Sequence, residues 1–169
     1  MPSVVLQQVS SAFARKNARG TLEKPVGLRF IEKYLDPSLL EALRNVATDG
    51  AVHIWGAKLE RSHQFVKMFP RESFVFFRRG RMVFAHGAVA ETTFNVELAE
   101  SLWGRDSDGE TWPFIFFLKR IVPINKEAAN FNKVLGRKPS DNWQGMNVIY
   151  VKDSLRLQAY FATEFGDEV

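Results

Sequence analysis

Three of the four tryptophans stand beside turn-forming residues, where an indole ring can face a pocket instead of the core. Trp55 and Trp103 each precede a glycine, and Trp143 lies in the polar run 141–145. An indole offers a flat apolar face with one N–H donor at its edge. A nucleic-acid base stacks on such a face with about 1–3 kcal/mol of stabilisation. Packing is the commoner fate of a single aromatic residue, but the repeated position beside turns indicates binding.

Basic side chains lie close to these aromatic residues, and the chain carries a net charge of +4. Such side chains bind phosphates and position a nucleic acid without reading its sequence. The alternative for each cluster is a solvated face that keeps the protein dispersed. The candidate backbone contacts are Lys58, Arg61, Arg78, Arg79, Arg81, Lys119, Arg120, Arg137 and Lys138. The charge pattern favours an anionic partner, with nucleic acid first.

Motifs for catalysis and metal binding are absent from the sequence. His53, His63 and His86 lack the spacing that puts two ligands on one helix face. The chain has no cysteine, which excludes disulfides, thiolate catalysis and cysteine-based zinc sites. The acidic run 106–110 lacks the full ligand set of a calcium loop. We therefore expect a binding domain with no catalytic residues, no metal and no cofactor.

The elements that position these residues change in character near residue 50. Apolar residues between Val4 and Phe13 recur at helical spacing. A further helix is predicted after the cap Asp36, with Pro37 at its first position. Residues 1–50 are therefore predicted to form a helical extension packed on a main domain.

Residues 51–169 are predicted to form that main domain. The tight turn at Arg79-Gly80 joins two predicted strands, 72–79 and 81–92, as a hairpin. Further strands are predicted at 51–55, 111–124 and 148–151, with helices at 59–69, 96–103, 125–135 and 154–165. This order predicts an α+β domain with a curved or partly closed sheet.

Composition sets broad limits on the class of protein. With 169 residues and 46% hydrophobic residues, one domain with a real core is expected. No apolar run approaches the about 20 residues of a membrane span, and the first residues lack the pattern of a secretory signal. We expect a cytoplasmic protein without a membrane partner.

Several motifs resemble the PUA-like superfamily, which includes EVE and YTH domains. They are the segments 53–56 (HIWG), 74–77 (FVFF), 87–89 (GAV), 98–104 (LAESLWG) and 109–118 (GETWPFIFFL). The last two are most similar to N-terminal specificity domains of archaeal McrB-type restriction proteins. The resemblance covers roughly residues 51–151.

This resemblance implies a reader of modified DNA. Such domains rotate a methylated base out of the nucleic acid and hold it in an aromatic cage, with N6-methyladenine as the first expectation here. The implied ligand is methylated double-stranded DNA, and the isolated domain is expected to be a monomer. A motor domain of the AAA+ class and a nuclease subunit are the implied partners, and residues 165–169 are expected to lead into further sequence.

Cage positions follow from the same resemblance. Trp55 is the strongest candidate, Phe94 a substitute for a second wall, and Trp103 a third wall. Asp141, Asn142 and Trp143 are candidates for reading the base edge or lining the groove. Trp112 is expected to be structural.

Four alternatives stay open. The same fold could read RNA, where unpaired bases are recognised, or it could read a modified cytosine. A small hydrolase could act on modified nucleotides in the same pocket. A protein-interaction domain could instead use exposed Phe and Trp side chains as anchors.

Overall fold

Seven strands form one sheet in the order β2-β3-β6-β5-β4-β1-β7. The computed structural model describes residues 3–68, 70–71, 73–149 and 151–165. In chain order the strands are Ser3–Gln8 (β1), Val26–Gly27 (β2), Ala51–Ala57 (β3), Ser73–Arg79 (β4), Met82–Phe94 (β5), Phe114–Glu127 (β6) and Met146–Val148 (β7). The pair β1–β4 is parallel, and the other described pairs are antiparallel.

Helices cover both faces of this sheet. They are Ala12–Asn17 (α1), Leu28–Ile31 (α2), Pro37–Val46 (α3), Ser62–Phe65 (α4), Val96–Trp103 (α5), Ala128–Val134 (α6) and Val151–Phe165 (α7). A π-helical turn spans Ala18–Leu22, and 3₁₀ turns span Glu32–Tyr34 and Leu59–Arg61. The sequence predicts an α+β domain, and the structure confirms a mixed fold of helices and one seven-stranded sheet.

The strand β1 corrects the prediction that residues 1–50 are helical. It pairs with β4 on one side and with β7 on the other. Val4, Val5 and Leu6 are all fully buried, as in a strand with both faces covered. The helical spacing read from Val4 to Phe13 in fact spans a strand, a turn and the start of α1. The later helix α3 does begin at Pro37, and the Asp36 carboxylate accepts a hydrogen bond from the Leu39 N–H at 3.0 Å.

The predicted hairpin is confirmed at β4 and β5, where Gly80 occupies the turn with φ +57°. The helix predicted at 96–103 is also confirmed. The strand predicted at 148–151 lies earlier, at β7, because α7 already begins at Val151. Some predicted elements include residues that lie outside the described residues. They are residue 69 in the predicted helix 59–69, residue 72 in the predicted strand 72–79 and residue 150 in the predicted strand 148–151. The terminal residues 166–169 also lie outside the described residues.

The sheet curves strongly enough to bring distant strands together. Trp55 on β3 and Phe77 on β4 are separated by two strands in the sheet order, yet their ring centroids are 5.7 Å apart. Bulges interrupt β5 at several points along its pairing with β6, and bulges bend a strand. One hydrophobic cluster, which contains Trp55, lies on one face, and a second cluster, which contains Trp143, lies on the other.

Candidate nucleic-acid interface

A cavity of about 180 Å³ lies between the ends of β1 and β3. The residues that line it include Gln7, Gln8, Ser10, Ser11, Trp55, Gly56, Lys58, Glu60, Arg61, Trp112, Gly145 and Met146. Those before residue 12 belong to the segment predicted as a helical extension. The curvature of the sheet therefore builds this cavity, which we call the Trp55 cavity, from segments far apart in sequence.

Two tryptophans form the aromatic wall of the Trp55 cavity. The rings of Trp55 and Trp112 have centroids 4.9 Å apart at an interplanar angle of 56°. Trp55 is 1% exposed and Trp112 is 7% exposed, so neighbouring side chains hold both rings in place. Trp112 was expected to be structural, and its place beside Trp55 could not be inferred from its position at the start of an apolar segment.

Trp103 supports this wall from behind and is not among the residues that line the cavity. Its indole N–H donates to the Thr21 hydroxyl at 3.0 Å. A Cβ added to Gly56 would lie 2.6 Å from the Trp103 ring and 2.9 Å from the Trp112 carbonyl oxygen. Only glycine allows this close approach. The predicted third wall is therefore a packing contact behind β3.

Three buried polar atoms of lining residues have no hydrogen-bond partner among the described residues. They are Oε1 of Gln7, Oε1 of Gln8 and Nε1 of Trp55. An unsatisfied buried polar group costs about 1–3 kcal/mol, so native structures rarely keep several together. These three atoms are hydrogen-bonding groups that a bound polar molecule could satisfy.

Lys58 holds the rim of the cavity through ion pairs. Its Nζ lies 2.6 Å from Asp106 Oδ2 and 3.0 Å from Glu110 Oε2. The hydrogen bond to Asp106 raises the pKa of Lys58, and the same bond lowers the pKa of Asp106. The ammonium therefore ties the segment before Trp112 to the end of β3, and much of its charge is already neutralised.

Arg61 joins the rim to the late polar loop. A Cβ added to Gly145 would lie 3.0 Å from the Arg61 guanidinium, and Gly145 has φ +61°. The Arg61 side chain is 28% exposed and lies 3.6 Å from the Glu60 carboxylate. Arg61 is thus a cation at the cavity with part of its surface open to solvent.

The predicted base-edge readers lie outside the Trp55 cavity. Trp143 is fully buried in the second hydrophobic cluster, and its indole N–H donates to Asn132 Oδ1 at 2.8 Å. Arg78 covers the ring at 5.5 Å and donates to the Asp141 carbonyl oxygen at 2.7 Å. It also donates to Asn142 Oδ1 at 3.4 Å. These contacts hold the loop 136–145 in place.

Arg78 is therefore not available as a surface cation. It is 6% exposed, and burial lowers its pKa. Arg79 also has a protein partner, since its guanidinium lies 2.8 Å from the Glu23 carboxylate. Both were predicted as backbone contacts because a hairpin turn usually projects into solvent. Here the loop 136–145 covers Arg78, and Arg79 is paired with Glu23.

The remaining predicted backbone residues are spread over several surfaces. Arg81, Lys119, Arg120 and Lys138 are exposed, and Arg137 lies 3.3 Å from the Asp141 carboxylate. Phe94, a predicted cage wall, is 55% exposed at the end of β5 and packs on Phe114.

Two further cations stand beside the Trp55 cavity. Arg15 and Lys16 on α1 follow Ser11 and Ala14, which line it. Both are exposed and have no ion pair within the part of the chain that the structure describes. Their signal in the sequence was the Ser11 cap followed by two basic residues in one short helix.

Other kinds of site find no support in the described ranges. They contain no group of three or more His, Cys, Asp or Glu side chains that could hold a metal ion. No described helix is long and apolar enough to cross a membrane. His53 has a structural contact, with Nδ1 2.6 Å from the Leu22 carbonyl oxygen.

The fold is that of a McrB-type N-terminal domain. A solved structure described as the N-terminal domain of Thermococcus gammatolerans McrB bound to m5C DNA matches 96% of this chain and 99% of its own, with a TM-score of 0.74. The two sequences are 16% identical, so the likeness shows a shared fold. The resemblance to McrB-type domains is confirmed, whereas the PUA-like assignment stays a prediction. No protein family model and no curated protein sequence matches this chain.

Proposed function

We propose that this chain recognises DNA that carries a methylated base and holds that base in the Trp55 cavity, in the service of a restriction system. The observation that carries the proposal is the Trp55–Trp112 wall beside unpartnered polar atoms. Flat apolar rings next to open hydrogen-bonding groups suit a planar heterocycle. The fold shared with a domain bound to m5C DNA supports the same function.

The base must leave the duplex to reach this wall. Trp55 and Trp112 are both buried, so a base that remains stacked and paired cannot contact them. Flipping costs a few kcal/mol, and stacking on aromatic rings at about 1–3 kcal/mol for each contact offsets much of that cost.

We propose 5-methylcytosine as the first modified base to test and N6-methyladenine as the second. The order reverses the expectation from the sequence because the solved neighbour is bound to m5C DNA. Burying one methyl group stabilises a complex by about 0.8 kcal/mol, or about fourfold in affinity. Contact with a dry aromatic wall therefore supplies a measurable but modest preference for the methylated base.

Phosphate contacts would come from cations around the cavity. Arg15, Lys16 and Arg61 lie beside it, and Lys138 is exposed on the adjoining loop. Such contacts strengthen binding to any DNA and weaken as salt is added. Cleavage would then belong to other domains or subunits, with a AAA+ motor and a nuclease as the expected partners.

A binding assay with a panel of duplexes tests this function. One sequence would carry 5-methylcytosine, 5-hydroxymethylcytosine, N6-methyladenine or no modification, and RNA of the same sequence would be included. We expect Trp55→Ala to abolish the preference for the methylated duplex while the salt-dependent background binding remains. Phe94→Ala is the matched control, since Phe94 is an exposed aromatic residue outside the cavity.

Two outcomes would contradict the proposal. The first is a parent protein that binds methylated and unmodified duplexes equally. The second is a Trp55→Ala variant, folded by circular dichroism, that loses affinity equally for both. A preference for the RNA would transfer the function to RNA recognition.

A further inference from the structure

A hydrogen bond holds the amide of Gln7, a residue of the Trp55 cavity, in one defined orientation. Gln7 is 5% exposed and lines the cavity. Its Nε2 donates to the Gln8 carbonyl oxygen at 2.9 Å. If the amide were rotated by 180°, Oε1 of Gln7 would face the Gln8 carbonyl oxygen and repel it. The hydrogen bond therefore identifies which end of the amide is Nε2 and which is Oε1. Oε1 of Gln7 is therefore a buried acceptor that has no partner among the described residues.

Trp55 contributes the complementary group. The indole Nε1–H can only donate, and here it is buried and without a partner in the described ranges. Gln7 and Trp55 both line the same cavity. The cavity therefore offers one fixed acceptor and one fixed donor. Because the indole N–H lies in the plane of its ring, a base that accepts from Trp55 stacks on Trp112 instead.

We propose that Gln7 and Trp55 select a base that presents an amino group beside an unprotonated ring nitrogen, and that they exclude a base with a keto oxygen in place of that amino group. This inference rests on the proposed function, because it concerns a base held in the Trp55 cavity. Cytosine presents an amino donor beside a ring-nitrogen acceptor, and adenine presents the same pair. Thymine and guanine reverse both roles, with a keto oxygen beside a ring N–H. Only the first pattern matches an acceptor on Gln7 and a donor on Trp55.

The selection answers a specific difficulty for a reader of 5-methylcytosine. Thymine carries the same methyl group at the same ring position and is present throughout ordinary DNA. Contact between that methyl group and Trp55 or Trp112 cannot separate the two bases. A keto base in this cavity would leave the Gln7 acceptor facing an oxygen, and a site built on hydrogen bonds rejects such a mismatch strongly.

A duplex with an abasic site opposite the target base provides the test, because no target base then has a pairing partner to lose. Dissociation constants would be measured for 5-methylcytosine, cytosine, thymine and guanine at that position. We expect 5-methylcytosine to bind about 10- to 100-fold more tightly than thymine, as expected for lost buried hydrogen bonds. We expect Gln7→Leu, which keeps a similar size but removes the acceptor, to reduce this ratio towards one.

Two controls separate selection from a general loss of structure. Gln144→Leu changes an exposed glutamine that does not line the cavity, and it should keep the parent ratio. The second control changes the ligand and leaves the protein intact. A 5-methylpyrimidin-2-one lacks the amino group, so it should bind the parent as weakly as 5-methylcytosine binds Gln7→Leu. Binding of this analogue to Gln7→Leu should be no weaker still, because both changes remove the same hydrogen bond.

The outcomes distinguish this inference from the proposed function. If the parent binds 5-methylcytosine more tightly than cytosine but no more tightly than thymine, the selection by Gln7 is wrong and the proposed function stands. A Gln7→Leu variant that weakens both bases equally also overturns the selection. If the parent separates neither 5-methylcytosine from cytosine nor N6-methyladenine from adenine, the proposed function itself fails.

Discussion

Trp55 and Trp143 are alike in burial and differ in what their indole N–H groups bind. Both rings are buried, with 1% and 0% of their surface exposed, and both have basic residues as neighbours in the sequence. The Trp143 N–H donates to Asn132 at 2.8 Å, whereas the Trp55 N–H has no partner among the described residues. Arg78 covers the Trp143 ring, whereas a cavity lies beside Trp55.

If Trp55 binds a base as proposed, polar satisfaction, and not exposure, separates the two tryptophans. A buried indole whose N–H is bonded within the protein has no hydrogen bond to offer a ligand. A buried indole with an unpartnered N–H beside a cavity keeps its donor for a ligand that reaches it. Each of the following experiments tests one part of this contrast.

The largest effect is expected for Trp143→Ala. We expect the free energy of unfolding to fall by about 3–5 kcal/mol, because a fully buried ring is removed from the second hydrophobic cluster. Urea denaturation measures the change. The preference for methylated DNA should persist under conditions where the variant is folded, and its loss in a folded variant would place Trp143 in the recognition site.

A pair of Trp→Phe substitutions isolates the indole N–H. Trp143→Phe leaves Asn132 without its donor, so it should destabilise the fold by about 1–3 kcal/mol more than Trp55→Phe does. Binding should change in the opposite sense, with methylated-DNA affinity reduced by Trp55→Phe and kept by Trp143→Phe. Equal stability losses in urea denaturation would mean that the Trp55 N–H is as well satisfied as that of Trp143.

The smallest effect is expected at the Lys58–Asp106 pair on the cavity side. Asp106 has a lowered pKa in the folded state, so its contribution is present above its ordinary pKa of 3.8 and is lost as pH falls through the lowered value. Lys58 has a raised pKa, so its contribution is lost only as pH rises above 10.5. Lys58→Met should therefore cost up to about 1 kcal/mol near neutral pH, and less below pH 3.8.

Urea denaturation across this pH range provides the measurement. Arg156→Met is the control, since Arg156 and Asp153 form an exposed pair 3.6 Å apart. If the loss of stability caused by Lys58→Met stays the same below pH 3.8, Asp106 is not the partner through which Lys58 stabilises the fold.

Local elements were predictable from the sequence to a large extent. The hairpin at Gly80, the Asp36 cap of α3 and the helix α5 all follow from residues that are neighbours in the chain. The strand β1 was missed because its burial on both faces depends on β4 and β7, which lie far along the sequence. Apolar residues at short spacing suit either a helix or such a strand.

The candidate site was predictable in only one of its principal residues. Trp55 was identified from the resemblance to YTH domains, in which a Trp precedes a helix and the next buried strand. The structure places Trp112 at the cavity and Trp103 outside it, and this difference depends on how closely Trp103 approaches Gly56. Gln7 carried no signal at all, since a glutamine in an apolar run points to nothing until its partners are known.

The sequence by itself determined the class of the fold, the hairpin and the capped helices, and the absence of cysteine chemistry. These depend on composition, periodicity and contacts between near neighbours. Only the tertiary structure decided that Gln7, Trp55 and Trp112 share one cavity and that Trp143 and Arg78 belong to the core. The reason is physical: curvature of the sheet brings together residues as far apart in the chain as Gln7 and Met146. Whether a polar group has a hydrogen-bond partner is decided only after such residues are in contact.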